Sequence, residues 1–109
     1  GWVAQDGRYT QFLKATDYIL SHLSSPISLE EIAHQAGMSI PTLLRTFKHY
    51  TAESPMQYVK KLRLSYAYVE LNQTTCSVQE AAHAVGYESV SQFSREYKRY
   101  FGHSPRQRQ

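Results

Sequence analysis

The fold of this chain is decided by residues 28–55, SLEEIAHQAGMSIPTLLRTFKHYTAESP, because residues 77–105, SVQEAAHAVGYESVSQFSREYKRYFGHSP, repeat their pattern. The second copy has one additional residue after its glycine. A solenoid needs about three or more stacked repeats to bury a core, so two copies and a connector predict two paired helical modules. The matched pairs are Ser28 with Ser77, Ala33 with Ala82, Gly37 with Gly86, Ser39 with Ser89, Arg45 with Arg95, Phe47 with Tyr97, Lys48 with Lys98, Tyr50 with Tyr100, Ser54 with Ser104 and Pro55 with Pro105.

Length and composition narrow the class of protein. At 109 residues the chain has room for one compact domain or two very small lobes. Its single cysteine, Cys76, excludes an internal disulfide framework, and nothing resembles a transmembrane run or a signal peptide. These features predict a reducing, cytoplasmic setting.

The net charge of +3 says little about partners, but the distribution of charge is informative. Ten of the twelve lysines and arginines fall within residues 39–63 and 89–109, and each stretch holds a single acidic residue. Most other acidic residues lie on the segments that precede these stretches. The pattern predicts a basic face and an acidic face in each repeat.

Six serines mark the starts of predicted helices. A serine at this position accepts a hydrogen bond from an unpaired backbone amide, and Glu or Gln three residues on can return one. Pro55 and Pro105 follow their serines directly, where proline costs a helix no internal bond. No strand-like alternation competes, so the sequence predicts an all-α fold. The pairs are Ser28 with Glu31, Ser39 with Thr42, Ser54 with Gln57, Ser77 with Glu80, Ser89 with Gln92 and Ser104 with Gln107.

Two predicted helices lie outside the repeat. The first covers residues 10–23, and the second covers residues 56–73. The second has two apolar stripes, which are explained if a lobe packs against each side of a connecting helix. The first helix buries Phe12, Ala15, Ile19 and Leu23; the stripes of the second are Val59, Leu62, Tyr66 and Val69, and Leu64, Tyr68 and Leu71.

Each repeat has the spacing of a helix-turn-helix motif. Ala33 lets two helices cross closely, Gly37 permits a left-handed turn, and Leu43 fills the angle between the helices. Ala82, Gly86 and Phe93 repeat this scheme. In this motif the N-terminal half of the second helix meets base edges in the DNA major groove. The predicted recognition helices are residues 40–50 and 90–100.

The predicted recognition helices bury one stripe each and expose the rest. Arg45 and Arg95 share one outward position, where an arginine can bond a guanine edge, a phosphate or an acidic side chain. The first helix buries Ile40, Leu43, Phe47 and Tyr50 and exposes Pro41, Thr42, Arg45, Thr46 and His49; the second buries Phe93, Tyr97 and Tyr100 or Phe101 and exposes Ser91, Ser94, Arg95 and Lys98. Phosphate contacts, or simply a solvated face, are predicted for Ser39, Lys48, Lys60, Lys61, Arg63, Ser89, Lys98 and Arg99.

From residue 12 onward the chain resembles the DNA-binding domain of the AraC/XylS family of bacterial transcription regulators. The resemblance implies helix-turn-helix lobes over residues 10–54 and 74–109, joined by a long helix over residues 55–73. It also implies a fragment of an effector-responsive regulator, with residues 1–9 as linker or cloning remnant, or a stand-alone regulator of this size. The motifs are Ile32-Ala33, Gly37-Met38-Ser39, residues 44–48 and 54–58 in the first lobe, and residues 86–89, 92–102 and Ser104-Pro105 in the second.

The resemblance also implies partners and base contacts. The partners are double-stranded promoter DNA at the nucleoid, RNA polymerase, and a second copy through an N-terminal domain, with no membrane. The pattern departs from the family at Arg108-Gln109, where Tyr-Arg is usual. At three of the family's base-contact positions this chain has Pro41, Leu44 and Val90, whose side chains have no hydrogen-bond donor. Contact with a thymine methyl is the base chemistry left to them. Family base contacts fall on Pro41, Leu44, Arg45, Val90, Ser91 and Arg95, and an acidic surface for RNA polymerase is expected at Glu30, Glu31 and Glu80.

Other classes of protein have weaker support. Cys76 has no sequence sign of an activating partner, so no enzyme is predicted. No two of the five histidines have the three- or four-residue spacing that places two ligands on one helix face, so no metal or cofactor is predicted. Nine tyrosines would suit a protein-interaction module. Several of them fall on predicted core stripes, however, and such a module would not need basic recognition helices.

Overall fold

The computed structural model describes residues 7–105, and this part of the chain contains six helices and no strand, which confirms the predicted all-α class. The chain divides into two compact units inside α4, the first ending at Val59 and the second beginning at Lys60. The helices are α1 Gly7–Ser21, α2 Leu29–Ala36, α3 Ile40–Thr51, α4 Pro55–Gln73, α5 Val78–Ala84 and α6 Val90–Phe101.

Serine caps begin four of the helices, as the sequence predicts. In each case the side chain accepts a hydrogen bond from the amide three residues on, over 3.0–3.3 Å. Ser54 does the same for Gln57 at the start of α4, over 3.2 Å. A side-chain cap of this kind stabilises a helix by about 1 kcal/mol. The caps are Ser28, Ser39, Ser77 and Ser89; Gln107, the predicted partner of Ser104, lies outside the described residues.

The two turns predicted from glycine have a left-handed residue at the expected position. Gly37 has φ 70° and Gly86 has φ 95°, a region that strains any residue with a Cβ atom. The residue that follows each glycine donates its amide to a carbonyl in the preceding helix, Met38 to Ala33 and Tyr87 to Ala82. The helix-turn-helix geometry is therefore repeated down to its backbone hydrogen bonds.

The core of the first unit joins α1, α2 and α3. Ala15 and Ile19 of α1 are fully buried, which confirms two of the four positions predicted for its packing face. Phe12 packs its ring against Phe47 at a centroid distance of 5.0 Å. The remaining buried hydrophobic residues of this unit are Ile32, Ala33, Ala36, Leu43, Phe47 and Val59.

The core of the second unit is formed by the C-terminal part of α4 with α5, α6 and the turn between them. Tyr97 is 1% exposed and Phe93 is fully buried, and their ring centroids lie 5.6 Å apart. Phe101 rather than Tyr100 completes this stripe, because Tyr100 is 45% exposed. The buried set is Leu64, Ala67, Leu71, Ala81, Ala82, Val85, Tyr87, Phe93 and Tyr97.

One predicted stripe of α4 is wrong at two of its four positions. Tyr66 is 50% exposed and Val69 is 45% exposed, although both were assigned to a packing face with Val59 and Leu62. The buried positions instead include Leu64, Ala67 and Leu71, which recur at helical spacing around a small alanine. Tyr66 and Val69 lie on the opposite side of the helix from this face.

The first helix also differs from its predicted bounds of residues 10–23. It begins at Gly7, so residues 7–9 of the predicted linker are helical. It ends at Ser21, because the chain turns there and the amide of Ser25 donates to the carbonyl of His22 over 3.0 Å. Leu23, predicted on the packing face, is therefore outside the helix and half-buried.

Candidate nucleic-acid interface

The outer face of α3 carries most of the residues predicted for base contact. Leu43 and Phe47 point into the core of the first unit and fix the rotation of the helix about its axis. The exposed residues on the other side are Pro41, Leu44, Arg45, Lys48 and His49, and Thr42 is half-buried.

Hydroxyl groups hold the guanidinium of Arg45 against α3. Its Nη2 donates to Oγ1 of Thr42 over 3.2 Å. The same Oγ1 accepts a hydrogen bond from Oγ of Ser39 over 3.0 Å. A guanidinium has five N–H donors, so most of them stay available to an external acceptor. The helix cap and the exposed arginine thus belong to one hydrogen-bonded chain.

Thr46 does not face outward, which corrects the sequence prediction. Its side chain is fully buried. The hydroxyl donates to the carbonyl of Thr42 over 2.7 Å and lies 3.6 Å from the sulfur of Met38. Because the helix backbone satisfies the hydroxyl, the side chain can be buried at little cost. Thr46 therefore belongs to the core and not to the interface.

The outer face of α6 repeats that of α3 with different side chains. Ser91, Arg95, Lys98 and Arg99 are exposed, and Ser94 is half-buried. Val90, predicted to contact a base, is half-buried and packs against the core of the second unit.

A polar cluster around Glu96 was missed by the sequence analysis. Oε1 of Glu96 accepts from the hydroxyl of Tyr87 over 2.5 Å, and Oε2 accepts from the amide of Gln92 over 3.1 Å. Nζ of Lys60 lies 3.8 Å from Oε2. The signals in the sequence are that Glu96 is the single acidic residue within residues 89–109 and that Gln92 precedes it by one helical turn.

The cluster shifts the pKa values of its members. Burial alone would raise the pKa of Glu96, but the hydrogen bonds from Tyr87 and Gln92 and the charges of Lys60 and Arg95 outweigh it, so the pKa lies below its ordinary value. Burial and the hydrogen bond to Glu96 raise the pKa of Tyr87. Glu96 is therefore ionised and Tyr87 neutral at pH 7.

The cations of the second unit differ in their surroundings. Lys60, Lys61 and Arg99 line an open cavity of about 210 Å³ together with Leu64, Glu96 and Tyr100. Arg63, predicted to contact phosphate, is half-buried. Burial lowers its pKa below the ordinary value, although the nearby Tyr87 and Glu96 oppose this shift. Lys98 is exposed on α6.

The other candidate chemistries have little in the described residues to support them. The half-buried Cys76 has its Sγ 3.9 Å from the carbonyl of Glu70. Residues 7–105 contain no group of three or more His, Cys, Asp or Glu side chains that could hold a metal ion. None of the helices in this range combines the length and apolar character needed to cross a membrane.

Two bihelical units, each with a capped and exposed basic second helix, define a tandem helix-turn-helix protein. Residues 32–109 match a family model described as a helix-turn-helix domain. The chain belongs to the AraC-type family of helix-turn-helix transcription regulators, as the resemblance predicted. These relatives are transcription regulators.

Three similar proteins give the extent of the match. The transcriptional regulator GbdR of Pseudomonas aeruginosa is 41% identical over 86 residues, which are 79% of this chain and 23% of GbdR. An AraC-type regulator from Chromobacterium violaceum superposes with a TM-score of 0.84 and 32% identity over 92% of this chain and 89% of that one. The DNA-binding domain of AdpA, solved in complex with a target DNA, superposes with a TM-score of 0.82. Its sequence identity is 29%, and the match covers 86% of this chain and 85% of that one.

Proposed function

We propose that this chain recognises a specific DNA sequence by placing α3 and α6 in two successive segments of the major groove. The observation that carries the proposal is the exposure of Arg45 and Arg95 at the same position of the two second helices. An arginine fork pairs with both acceptors of a guanine edge. Regulation of transcription follows from occupancy of a promoter, and the AdpA domain solved with its target DNA supports this use of the fold.

The exposed faces of the two helices divide into base-reading and phosphate-binding groups. Most of the residues assigned to bases lie in the N-terminal half of each helix, because that half enters the groove. Cations and caps at the margins are assigned to phosphates, which position the protein without reading sequence. The base contacts are Pro41, Thr42, Leu44, Arg45, His49, Val90, Ser91, Ser94 and Arg95, and the phosphate contacts are Ser39, Lys48, Lys60, Arg63, Ser89, Lys98 and Arg99.

Some parts of the proposal concern a longer protein. The chain spans 23% of GbdR, so effector binding and dimerisation are assigned to a regulator of that full length and not to residues 7–105. We place the lobes at residues 10–54 and 74–109, with residues 55–73 connecting them. We also propose that the protein acts at the nucleoid and contacts RNA polymerase through the exposed carboxylates of Glu30, Glu31 and Glu80.

Selection of the purified chain on randomised duplex DNA at moderate salt tests the proposal. Enrichment of two short elements about one helical turn apart, roughly 10 bp, is the expected result for two readers on one face of DNA. The double variant Arg45→Ala with Arg95→Ala should lose preference at one position in each element. Salt-sensitive retention with no enriched sequence would contradict sequence-specific reading by this chain.

A further inference from the structure

The faces of α3 and α6 differ at the positions that flank the shared arginine. Pro41 and Leu44 flank Arg45, whereas Ser91 and Ser94 occupy the corresponding positions beside Arg95. Pro41 is exposed, and Leu44 is 40% exposed. The first unit therefore presents apolar side chains without donors beside its arginine, where the second presents hydroxyl groups.

The exposed surface of Leu44 is not needed for packing. Its neighbour Leu43 is fully buried in the core of the first unit, and so is Phe47 one turn on. Val90, the third apolar residue at a predicted base-contact position, packs against the core of the second unit. Leu44 and Pro41 thus keep apolar surface available on the outer face, whereas Val90 uses part of its own surface in folding.

The two arginines also differ in their hydrogen bonds. Nη2 of Arg45 is tied to Thr42, one turn toward the N-terminus of α3 and next to Pro41 in sequence. At the position of Thr42, α6 has Gln92, whose side-chain amide donates to Glu96. Within residues 7–105, Arg45 is thus tied to the residue one turn earlier in its helix, and Arg95 has no equivalent hydrogen bond.

We infer that α3 reads a guanine next to thymine, with Arg45 on the guanine and Leu44 and Pro41 against thymine 5-methyl groups, while α6 reads base edges through polar contacts. Thymine is the only standard DNA base that presents a methyl group in the major groove. The inference rests on the proposed function and deepens it by naming the base chemistry of each element. It also makes the two elements of the target chemically unequal.

Replacing thymine with deoxyuridine tests this inference, because it removes the 5-methyl group and leaves the base-pair hydrogen bonds intact. Each thymine of a selected site is replaced singly, and the dissociation constant is measured by fluorescence anisotropy at fixed salt. We expect a loss of about fourfold for each contacted methyl, the effect of one buried methyl-sized group. That loss should occur in one element only, with less than about a twofold change in the other.

The variant Leu44→Ser gives α3 the residue type that α6 has at Ser94, and it tests whether Leu44 makes the contact with the thymine methyl group. In a cycle that combines this variant with deoxyuridine, the two changes should not add, because the methyl contact is already lost. A general loss of affinity from disturbed folding would add to the deoxyuridine effect instead. The variant Ser94→Ala is the matched change on α6 and should leave the deoxyuridine penalty intact.

The outcomes separate this inference from the proposed function. Selected sites with no thymine beside a guanine, or sites that bind equally well with deoxyuridine, would overturn the reading by methyl groups and leave sequence-specific binding standing. A deoxyuridine penalty that Leu44→Ser leaves unchanged at every thymine of the element would do the same. A selection that enriches no sequence would overturn the proposed function, and this inference with it.

Discussion

The hydroxyl of Tyr87 donates a hydrogen bond to Oε1 of Glu96 over 2.5 Å, and so joins the turn that precedes α6 to the middle of that helix. The corresponding contact in the first unit is between Met38 and Thr46, whose hydroxyl lies 3.6 Å from the methionine sulfur. The repeat therefore preserves a contact between turn and recognition helix while changing its chemistry from a thioether to a charged hydrogen bond. The second unit consequently depends on the ionisation of one carboxylate.

Replacement of Tyr87 by phenylalanine should destabilise the second unit at neutral pH. A hydrogen bond to a charged group contributes about 1.5–3 kcal/mol, and the variant leaves a partly buried carboxylate with fewer donors. Because the pKa of Glu96 is lowered in the folded state, this stability is present above the unfolded pKa and is lost as the pH falls through the folded pKa. Urea unfolding at pH 7 and at pH 3.5 measures the difference, which should shrink at the acidic pH.

The control for this experiment is Tyr100→Phe, since Tyr100 is 45% exposed and lies outside the Tyr87–Glu96 hydrogen bond. It should change the free energy of unfolding by less than about 0.5 kcal/mol. Equal stability of Tyr87→Phe and the wild type at pH 7 would show that the hydrogen bond contributes nothing net.

Removal of the two arginines should relax base preference at separate positions. Arg45→Ala should affect one element and Arg95→Ala the other, each by about 1–3 kcal/mol of discrimination against the wrong base. Competition binding with singly mutated sites measures the change. Lys14→Ala, an exposed change on α1, is the control and should leave discrimination intact. A double variant with wild-type selectivity would refute the base-reading assignment.

Neutralising Lys48 and Lys98, each three residues after its arginine, should change DNA affinity without changing base preference. Lys48→Gln and Lys98→Gln should weaken binding to all sequences alike and reduce the slope of log affinity against log salt by about one for each lost phosphate contact. Titrations at several salt concentrations on specific and random DNA test this. An unchanged slope would assign these exposed lysines to solvent.

Exchanging alanine and glycine at the C-terminal ends of α3 and α6 should have opposite effects on the stability of the chain. Ala52 ends α3 with φ 64°, and Gly102 ends α6 at the corresponding position with φ 87°. A left-handed conformation costs a residue with a Cβ atom roughly 1–2 kcal/mol, which the larger entropy of unfolded glycine partly offsets. Ala52→Gly should therefore stabilise the chain by about 1 kcal/mol, and Gly102→Ala should destabilise it by a similar amount.

Thermal and urea unfolding of the two single variants measure this pair. A Cβ atom added at Gly102 meets no heavy atom within 4 Å, so crowding does not confuse the result. Destabilisation by both variants would mean that packing around Ala52 outweighs its backbone strain.

Much of the fold could be read from local patterns. Serines at Ser28, Ser39, Ser77 and Ser89 predicted four helix starts, because a cap involves only the next three residues. Gly37 and Gly86 predicted the turns, because a positive φ is a property of one residue. The outward positions of Arg45 and Arg95 followed from helical periodicity alone.

The errors fall where the answer depends on which residues pack against a side chain. The core stripe predicted for α3 leaves Thr46 on the outer face, but Met38 covers its hydroxyl and the helix carbonyl satisfies it. Tyr66 and Val69 were assigned to a packing face on their apolar character, although the core forms around Ala67. Residue type gives the preference for burial, and only the neighbours decide which side of a helix is covered.

By itself, the sequence determined that this chain has two capped helix-turn-helix motifs with an arginine at the same position of each second helix. These features depend on backbone hydrogen bonds and dihedral angles within a few residues. Tertiary structure alone decided that Tyr87 bonds to Glu96, that Val90 packs inward, and that Leu44 stays exposed. Burial and charge pairing are set by the elements that pack against a side chain, and local sequence does not specify that packing.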